Sequence, residues 1–136
     1  MIKPIMKSEF FLRLPSEDAG PDDAATGQDL LDTLLEHEHE CVGLAANMIG
    51  VRKRIICVKD GNRALLMYNP QILEQVNAYQ TSEGCLSLIG ERPCTRYRRI
   101  KVEYLDENFV HRIKNFSGYT AEIIQHEIDH CNGVLI

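Results

Sequence analysis

The sequence predicts an α+β fold, and three observations predict it. A helical apolar pattern lies near the start of the chain, a second and sharper one lies at its end, and several short strand-like runs separated by turn residues lie between. The chain has 136 residues, which suits one domain, residues 1–136, and leaves no room for a second core. Hydrophobic residues make up 44% and charged residues 26%, so disordered, collagen-like and coiled-coil readings are excluded. No apolar run reaches the roughly 18 residues of a membrane span. A net charge of −5 without a basic stripe argues against nucleic acid as a partner.

Pro15 to Gly27 is rich in Pro, Gly, Asp and Ala and is predicted to be a loop. A helix follows, from Asp23 or Thr26 to Glu40, with Leu30, Leu31, Leu34 and Leu35 on one stripe. His37 and His39 near its end are two apart, so they face different sides and are expected to be solvated surface. Arg54–Lys59 and Ala64–Tyr68 are strands joined by a hairpin turn at Asp60-Gly61-Asn62, and Asn69-Pro70 ends the second. Gln71–Tyr79 is a further strand. Arg99–Tyr104 and Phe109–Asn115 form an antiparallel pair around Asp106-Glu107-Asn108. The basic run Arg96, Arg98, Arg99 and Lys101 is expected to be a solvated strand edge. The last helix has its N-cap at Ser117 or Gly118, apolar faces from Ile123, Ile124 and Ile128, and a stop at Asn132-Gly133.

That helix carries Gln125-His126-Glu127-Ile128-Asp129-His130. His126 and His130 are four apart, so both imidazoles project from one face and can bind one metal ion at about 2.0–2.1 Å. Glu127 follows the first histidine, where its carboxylate can take a proton from water that the cation has acidified. A third ligand is needed, and only six residues remain after His130, so it must come from upstream. The free cysteines, the Asp and Glu residues, His37, His39 and His111 are all candidates. Five cysteines (Cys41, Cys57, Cys85, Cys94 and Cys131) form an odd set without regular spacing. The start, Met1-Ile2-Lys3-Pro4, lacks the apolar core of a secretion signal, so free thiols and a cytoplasmic location are expected.

Two other segments stand out. Glu83-Gly84-Cys85-Leu86-Ser87 places a cysteine after a glycine between strand-like runs. Gly43-Leu44-Ala45-Ala46-Asn47-Met48-Ile49-Gly50 offers small residues that suit tight packing or a wall beside a substrate backbone. Gly43-Leu44-Ala45-Ala46, then Glu83-Gly84-Cys85-Leu86-Ser87, then Gln125-His126-Glu127-Ile128-Asp129-His130, in that order and spacing, resembles peptide deformylase. The resemblance runs from about Leu30 to Leu135, nearly four-fifths of the chain.

The resemblance implies a hydrolase that removes the formyl group from the N-terminal methionine of new bacterial polypeptides, releasing formate. It implies one divalent ion on Cys85, His126 and His130, usually ferrous iron, with zinc or nickel often found instead. Glu127 would be the general base and then the acid, and the N–H of Leu86 would bind the oxyanion. Val42, Gly43 and Leu44 would pair with the substrate backbone like an added strand. Val42, Tyr119, Glu122 and Ile123 would flank the methionine side chain, and Arg92 would touch substrate further out. Glu122 is unusual there, because a charge beside a thioether is costly unless it turns outward. Glu83 and Arg96 would form an ion pair. Asp129 would either orient a ligand histidine indirectly or cover the helix surface.

The sequence departs from the family pattern Gly-x-Gly-x-Ala-Ala-x-Gln at two positions. Cys41 replaces the first Gly, which a negative φ would allow, and Met48 replaces the Gln. In the family that glutamine donates from its amide to the formyl oxygen, and methionine has no N–H. An intact metal site with reduced turnover is therefore expected. The alternatives are a metal-binding pseudoenzyme that holds formyl-peptides without turnover, and a different metal-dependent amidase. The implied partners are N-formylmethionyl nascent chains and the ribosome. Many members continue past Gly-Val-Leu into a tail; a chain ending at Ile136 is expected to lack any ribosome docking through that element.

Overall fold

A computed structural model describes residues 1–136. Helix α1 is one turn, Glu9–Leu12, and α2 spans Ala24–Glu36 behind a 3-10 turn at Pro21–Asp23. Strand β1 is Gly43–Ala45, followed by a second 3-10 turn, Ala46–Ile49. The remaining elements are β2 (Ile55–Asp60), β3 (Arg63–Cys85), β4 (Leu88–Leu105), β5 (His111–Ser117) and α3 (Gly118–Cys131). The five strands form one antiparallel sheet in the order β1-β2-β3-β4-β5, so each strand pairs with its neighbour in sequence. This is the α+β arrangement the sequence predicts.

Helix α2 ends four residues before the predicted Glu40. The N–H of His37 caps Thr33 and Leu34 carbonyls, and the backbone then turns through Glu40 to Cys41. Leu30 and Leu34 are fully buried, whereas Leu35 is 52% exposed, so the apolar stripe is narrower than expected. The Gly61-Asn62 hairpin is as predicted, with Asp60 paired to Arg63. Asn69-Pro70 does not end β3. Pro70 lacks an N–H and Asn69 sits at φ 53°, so the ladder skips from Tyr68 to Gln71, and the strand continues as a bulged ribbon. Phe109, expected to start β5, instead lies in the Asp106 turn at φ 59° and stacks on Tyr68. The basic run is an edge only in part, because β4 is paired with β5 from Arg99 onward, whereas Arg96 and Arg98 lie in the stretch paired with β3 alone. Arg98 and Arg99 are exposed there, but Arg96 is only 4% exposed.

The core lies where α2 and α3 cover one face of the short part of the sheet: Leu30, Leu34, Ile55–Val58, Met67, Ile100, Val102 and Ile124. Beyond that core the β3–β4 ribbon continues alone. Bulges at Tyr68/Gln71 and Ile72/Glu74 increase its twist, and it closes at the Cys85↔Leu88 pair. Gln125 of α3 fastens this ribbon to the helix. Its Oε1 accepts from the N–H of Tyr97 and its Nε2 donates to the Tyr97 carbonyl, each at 2.9 Å. That clamp brings the end of β3 over the histidines of α3.

Candidate metal centre and cleft

The two histidines of α3 meet as their spacing requires, with Nε2 atoms 3.1 Å apart. Cys85, at the end of β3, places its Sγ 3.3 Å from His130 Nε2. The three donor atoms lie within 4.8 Å of one another. Ligands at about 2.0–2.3 Å from one tetrahedral ion stand a little over 3 Å apart, so the spacing fits a shared cation.

His126 is held from behind. Its Nδ1 donates to Glu83 Oε1 at 2.8 Å, which leaves Nε2 as the donor atom facing Cys85 and His130. Glu83 is in turn held by Arg96, with Nη2–Oε1 2.7 Å and Nε–Oε2 3.0 Å, and Arg96 Nη1 reaches Asp129 Oδ2 at 2.7 Å. The expected Glu83–Arg96 pair is therefore present and buried. Asp129 acts on His126 only through Arg96 and Glu83. Burial by itself would raise the pKa of Glu83, but hydrogen bonds from His126 and Arg96 outweigh it and hold the carboxyl below its ordinary range.

The histidines are driven apart electrostatically. Burial opposes charge on His126, yet Cys85 and Glu83 outweigh that and lift its pKa to about 10. Burial, then the neighbouring His126 charge, lowers His130 to about 3. A half-buried thiol, two imidazoles and the carboxylates behind and beside them thus form a place that holds positive charge. Thiolate with imidazole suits a transition-metal ion rather than magnesium or calcium.

Glu127 completes the group. It is 3% exposed, its Oε1 has no hydrogen-bond partner, and burial pushes its pKa up to about 7. A buried carboxylate oxygen left free beside a metal-type cluster is suited to moving a proton. Gly43 of β1 makes room for it. A Cβ at that position would lie 2.7 Å from Ile123 Cγ2 and 2.9 Å from Glu127 Oε2. Gly43→Ala is therefore expected to displace the Glu127 carboxylate and lower kcat about 10- to 100-fold, since a misplacement near 1 Å costs that order. Because the new Cβ also crowds the short branch of Ile123, the melting temperature should fall by a few degrees. Turnover equal to the parent's would show that the carboxylate does not depend on this contact.

These side chains open into a cleft of about 720 Å³. Of the residues the sequence singled out, Val42, Gly43, Met48, Cys85, Leu86, Tyr119, Glu122, Ile123, His126 and Glu127 line it. Leu44 does not, being fully buried in the core. Arg92 does not either. Its guanidinium turns back to the carbonyls of Ile89 (3.2 Å) and Gly90 (3.5 Å). The Val42 carbonyl already accepts from the Lys59 N–H at 2.8 Å. Antiparallel ladders alternate, so Val42 and Leu44 direct their backbone groups to β2, and Gly43 directs its own to the cleft. Glu122 does not turn outward. It is half-buried and lines the cleft, and burial followed by its interaction with Glu83 raises its pKa. Met48 is 1% exposed and curls back, its Sδ accepting from the Ala45 N–H at 3.5 Å. Cys41 has no positive φ, as its replacement of glycine requires, and burial raises its thiol pKa to about 11.

Sequence reasoning missed the cleft wall formed by Glu38, His39, Glu40 and Cys41 and the part played by Glu83 behind His126. Nothing in their local pattern marks them, because it is the pairing of β1 and the curl of the ribbon that bring them there.

An α+β sheet with a thiol, two helical imidazoles and a buried carboxylate around one small volume defines a metallohydrolase. Comparison with known proteins narrows the class. The family described as polypeptide deformylase matches residues 4–136. A peptide deformylase of Clostridium beijerinckii is 52% identical over 136 residues, covering all of both chains. The class I type b peptide deformylase of Acinetobacter baumannii, solved with Met-Ala-Ser bound, superposes with a TM-score of 0.89. It is 30% identical, with 99% of this chain and 97% of that one covered. The Thermus thermophilus peptide deformylase gives a TM-score of 0.89 at 33% identity, covering 99% of this chain and 84% of that one. The chain belongs to the polypeptide deformylase family, metal-dependent hydrolases that remove the N-formyl group from nascent polypeptides.

Proposed function

We propose that residues 1–136 form one catalytic domain, a working deformylase whose turnover is lowered by Met48. The observation that carries this reading is the meeting of Cys85 Sγ and the two histidine Nε2 atoms beside the unpartnered Oε1 of Glu127. Cys85, His126 and His130 would hold one divalent ion, ferrous iron by the family's habit, with zinc or nickel able to replace it. That ion would supply acidified water and polarise the formyl oxygen.

The chain's own groups do the rest. Gly43 pairs with the substrate backbone at the free edge of β1. Val42, Tyr119, Glu122 and Ile123 surround the methionine side chain. Glu127 accepts the proton of the attacking water at Oε1 as the new C–O bond forms. The Leu86 N–H donates to the oxygen that gains charge. When the C–N bond breaks, Glu127 returns the proton to the leaving amine, and formate departs. A carboxyl with a pKa near 7 can both take and give that proton at neutral pH. Met48 can only fill space, because a thioether donates nothing. A nascent-chain substrate puts the protein in the cytoplasm and in transient association with the ribosome.

The test is formate release from formyl-Met-Ala-Ser by protein purified anaerobically with iron. The parent should be active, and Met48→Gln should be faster by up to about 10²-fold, since one oxyanion donor is worth about 10²–10³. No formate from either protein, with a cation bound at unit stoichiometry, would overturn this reading. It would favour a second one, a formyl-peptide binder without turnover, for which the lost N–H of position 48 is the motivating feature.

A further inference from the structure

The two histidines of α3 are held differently. His126 is fixed through its ring, with Nδ1 donating to Glu83. The ring of His130 has no such support, because its Nδ1 is buried without a hydrogen-bond partner. A histidine that gives one nitrogen to a cation ordinarily donates from the other, and that bond sets the ring's tautomer and direction. His130 is instead gripped at its backbone. Its carbonyl is one of the last four of α3, which lack donors within the helix. It accepts from the Gly133 N–H at 3.0 Å and from the side-chain Nδ2 of Asn47 at 2.9 Å, a buried contact across 83 residues of chain. Asn47 Oδ1 is also buried without a partner. Two residues already joined by one hydrogen bond therefore carry a complementary unused pair: an acceptor on the amide, and an N–H on the ring once Nε2 faces the cation.

The mount of Asn47 is rigid. It lies in the 3-10 turn Ala46–Ile49, whose residues are 0–8% exposed. The Gly50 N–H closes that turn on the Asn47 carbonyl at 3.1 Å, with Gly50 at φ 86°, and the Met6 N–H ties it from outside at the Met48 carbonyl, 2.7 Å away. Asn47 does not line the cleft, so it touches no substrate. Its Nδ2 is committed to His130, so this amide does not replace the donor lost at the adjacent Met48. The geometry points to Asn47 as the positioning residue of His130: Nδ2 fixes the histidine's backbone, and on cation binding Oδ1 receives the ring's Nδ1–H, so that Nε2 is aimed at the cation. The inference rests on His130 being a ligand in the proposed deformylase site and adds the residue that aims it.

Cation binding tests this without turnover. Metal-free protein is titrated anaerobically with cobalt(II) in competition with a coloured chelator, well below its melting temperature, and the cobalt absorption bands are recorded. Asn47→Leu nearly keeps the size and removes both polar atoms. It should weaken cobalt binding about 10- to 100-fold, the usual cost of losing a ligand's supporting partner, and shift the cobalt d–d bands. The thiolate-to-cobalt band should stay, because Cys85 is untouched. Asn47→Ser, whose hydroxyl can still donate through a water in the space it opens, should recover part of the affinity. A purely structural Asn47 would lower the melting temperature of the metal-free protein and leave affinity and bands at the parent's values. That outcome in the Leu variant or, where that chain does not fold, in the Ser variant would overturn the inference. A parent protein that binds no cobalt would overturn it together with the ligand reading. A parent that binds cobalt, loses affinity in Asn47→Leu and releases no formate with iron would leave the role of Asn47 standing and remove the deformylase reading.

Discussion

Glu127→Gln is expected to release formate about 10³–10⁴-fold more slowly than the parent while still holding one cation per chain. General acid–base catalysis accounts for about 10²–10⁴ in rate, and here one carboxylate does both halves of the proton transfer. Gln is nearly the same size, so Gly43 and Ile123 keep their packing around it. Its amide cannot accept the proton of water or return one to the amine. The site offers no ready substitute. Glu83 is fully used by His126 and Arg96, and Glu122 is half-buried beside Glu83 with its pKa raised. Single-turnover formate release with metal content measured in the same sample is the appropriate measurement. A loss below about tenfold with metal bound would place the proton transfer elsewhere and set the assigned role aside.

Cys85→Ser should weaken cation binding by more than about 100-fold, because removing a mere supporting partner of a ligand already costs 10–100-fold. Serine keeps the size of the side chain but replaces a soft thiolate with a hydroxyl that does not ionise at neutral pH. The fold should tolerate it. Cys85 is only half-buried, and its contacts in the protein are His130 Nε2 at 3.3 Å and the Ser87 N–H at 3.4 Å, both of which an oxygen can meet. Competition with a coloured chelator gives the affinity, and a melting curve without metal separates affinity from stability. An unchanged affinity would reject Cys85 as a ligand.

Much of the site was legible in the chain itself. His126, Glu127 and His130 lie within one turn and a half of helix, where the spacing alone decides which side chains share a face. The helix stop at Gly133, at φ 76°, and the two-residue hairpin at Gly61-Asn62 were legible for the same reason, since both are short-range backbone requirements. The 18- and 23-residue strands were not. Asn69-Pro70 is a strand end by local rules, and only the ladder with Leu105 and Glu103 on β4 carries the chain past it. Arg96 reads locally as one of four solvated cations, and only the family resemblance pairs it with Glu83. Glu83 and Asp129, 13 and 33 residues away, are what justify burying it. Arg92 failed the other way, since the loop carbonyls that occupy it could not be read from its neighbours.

The sequence by itself determined the family, the paired imidazoles and the carboxylate beside them, and the loss of an amide donor at Met48, because each is a matter of residue type at short spacing. The tertiary structure alone decided that Glu83 orients His126, that the backbone groups of Gly43 rather than those of Val42 or Leu44 face the cleft, and that Glu38 and Glu40 line its wall. Those facts depend on strand register, bulge-driven twist and the Gln125 clamp, all of them contacts between residues far apart in the chain.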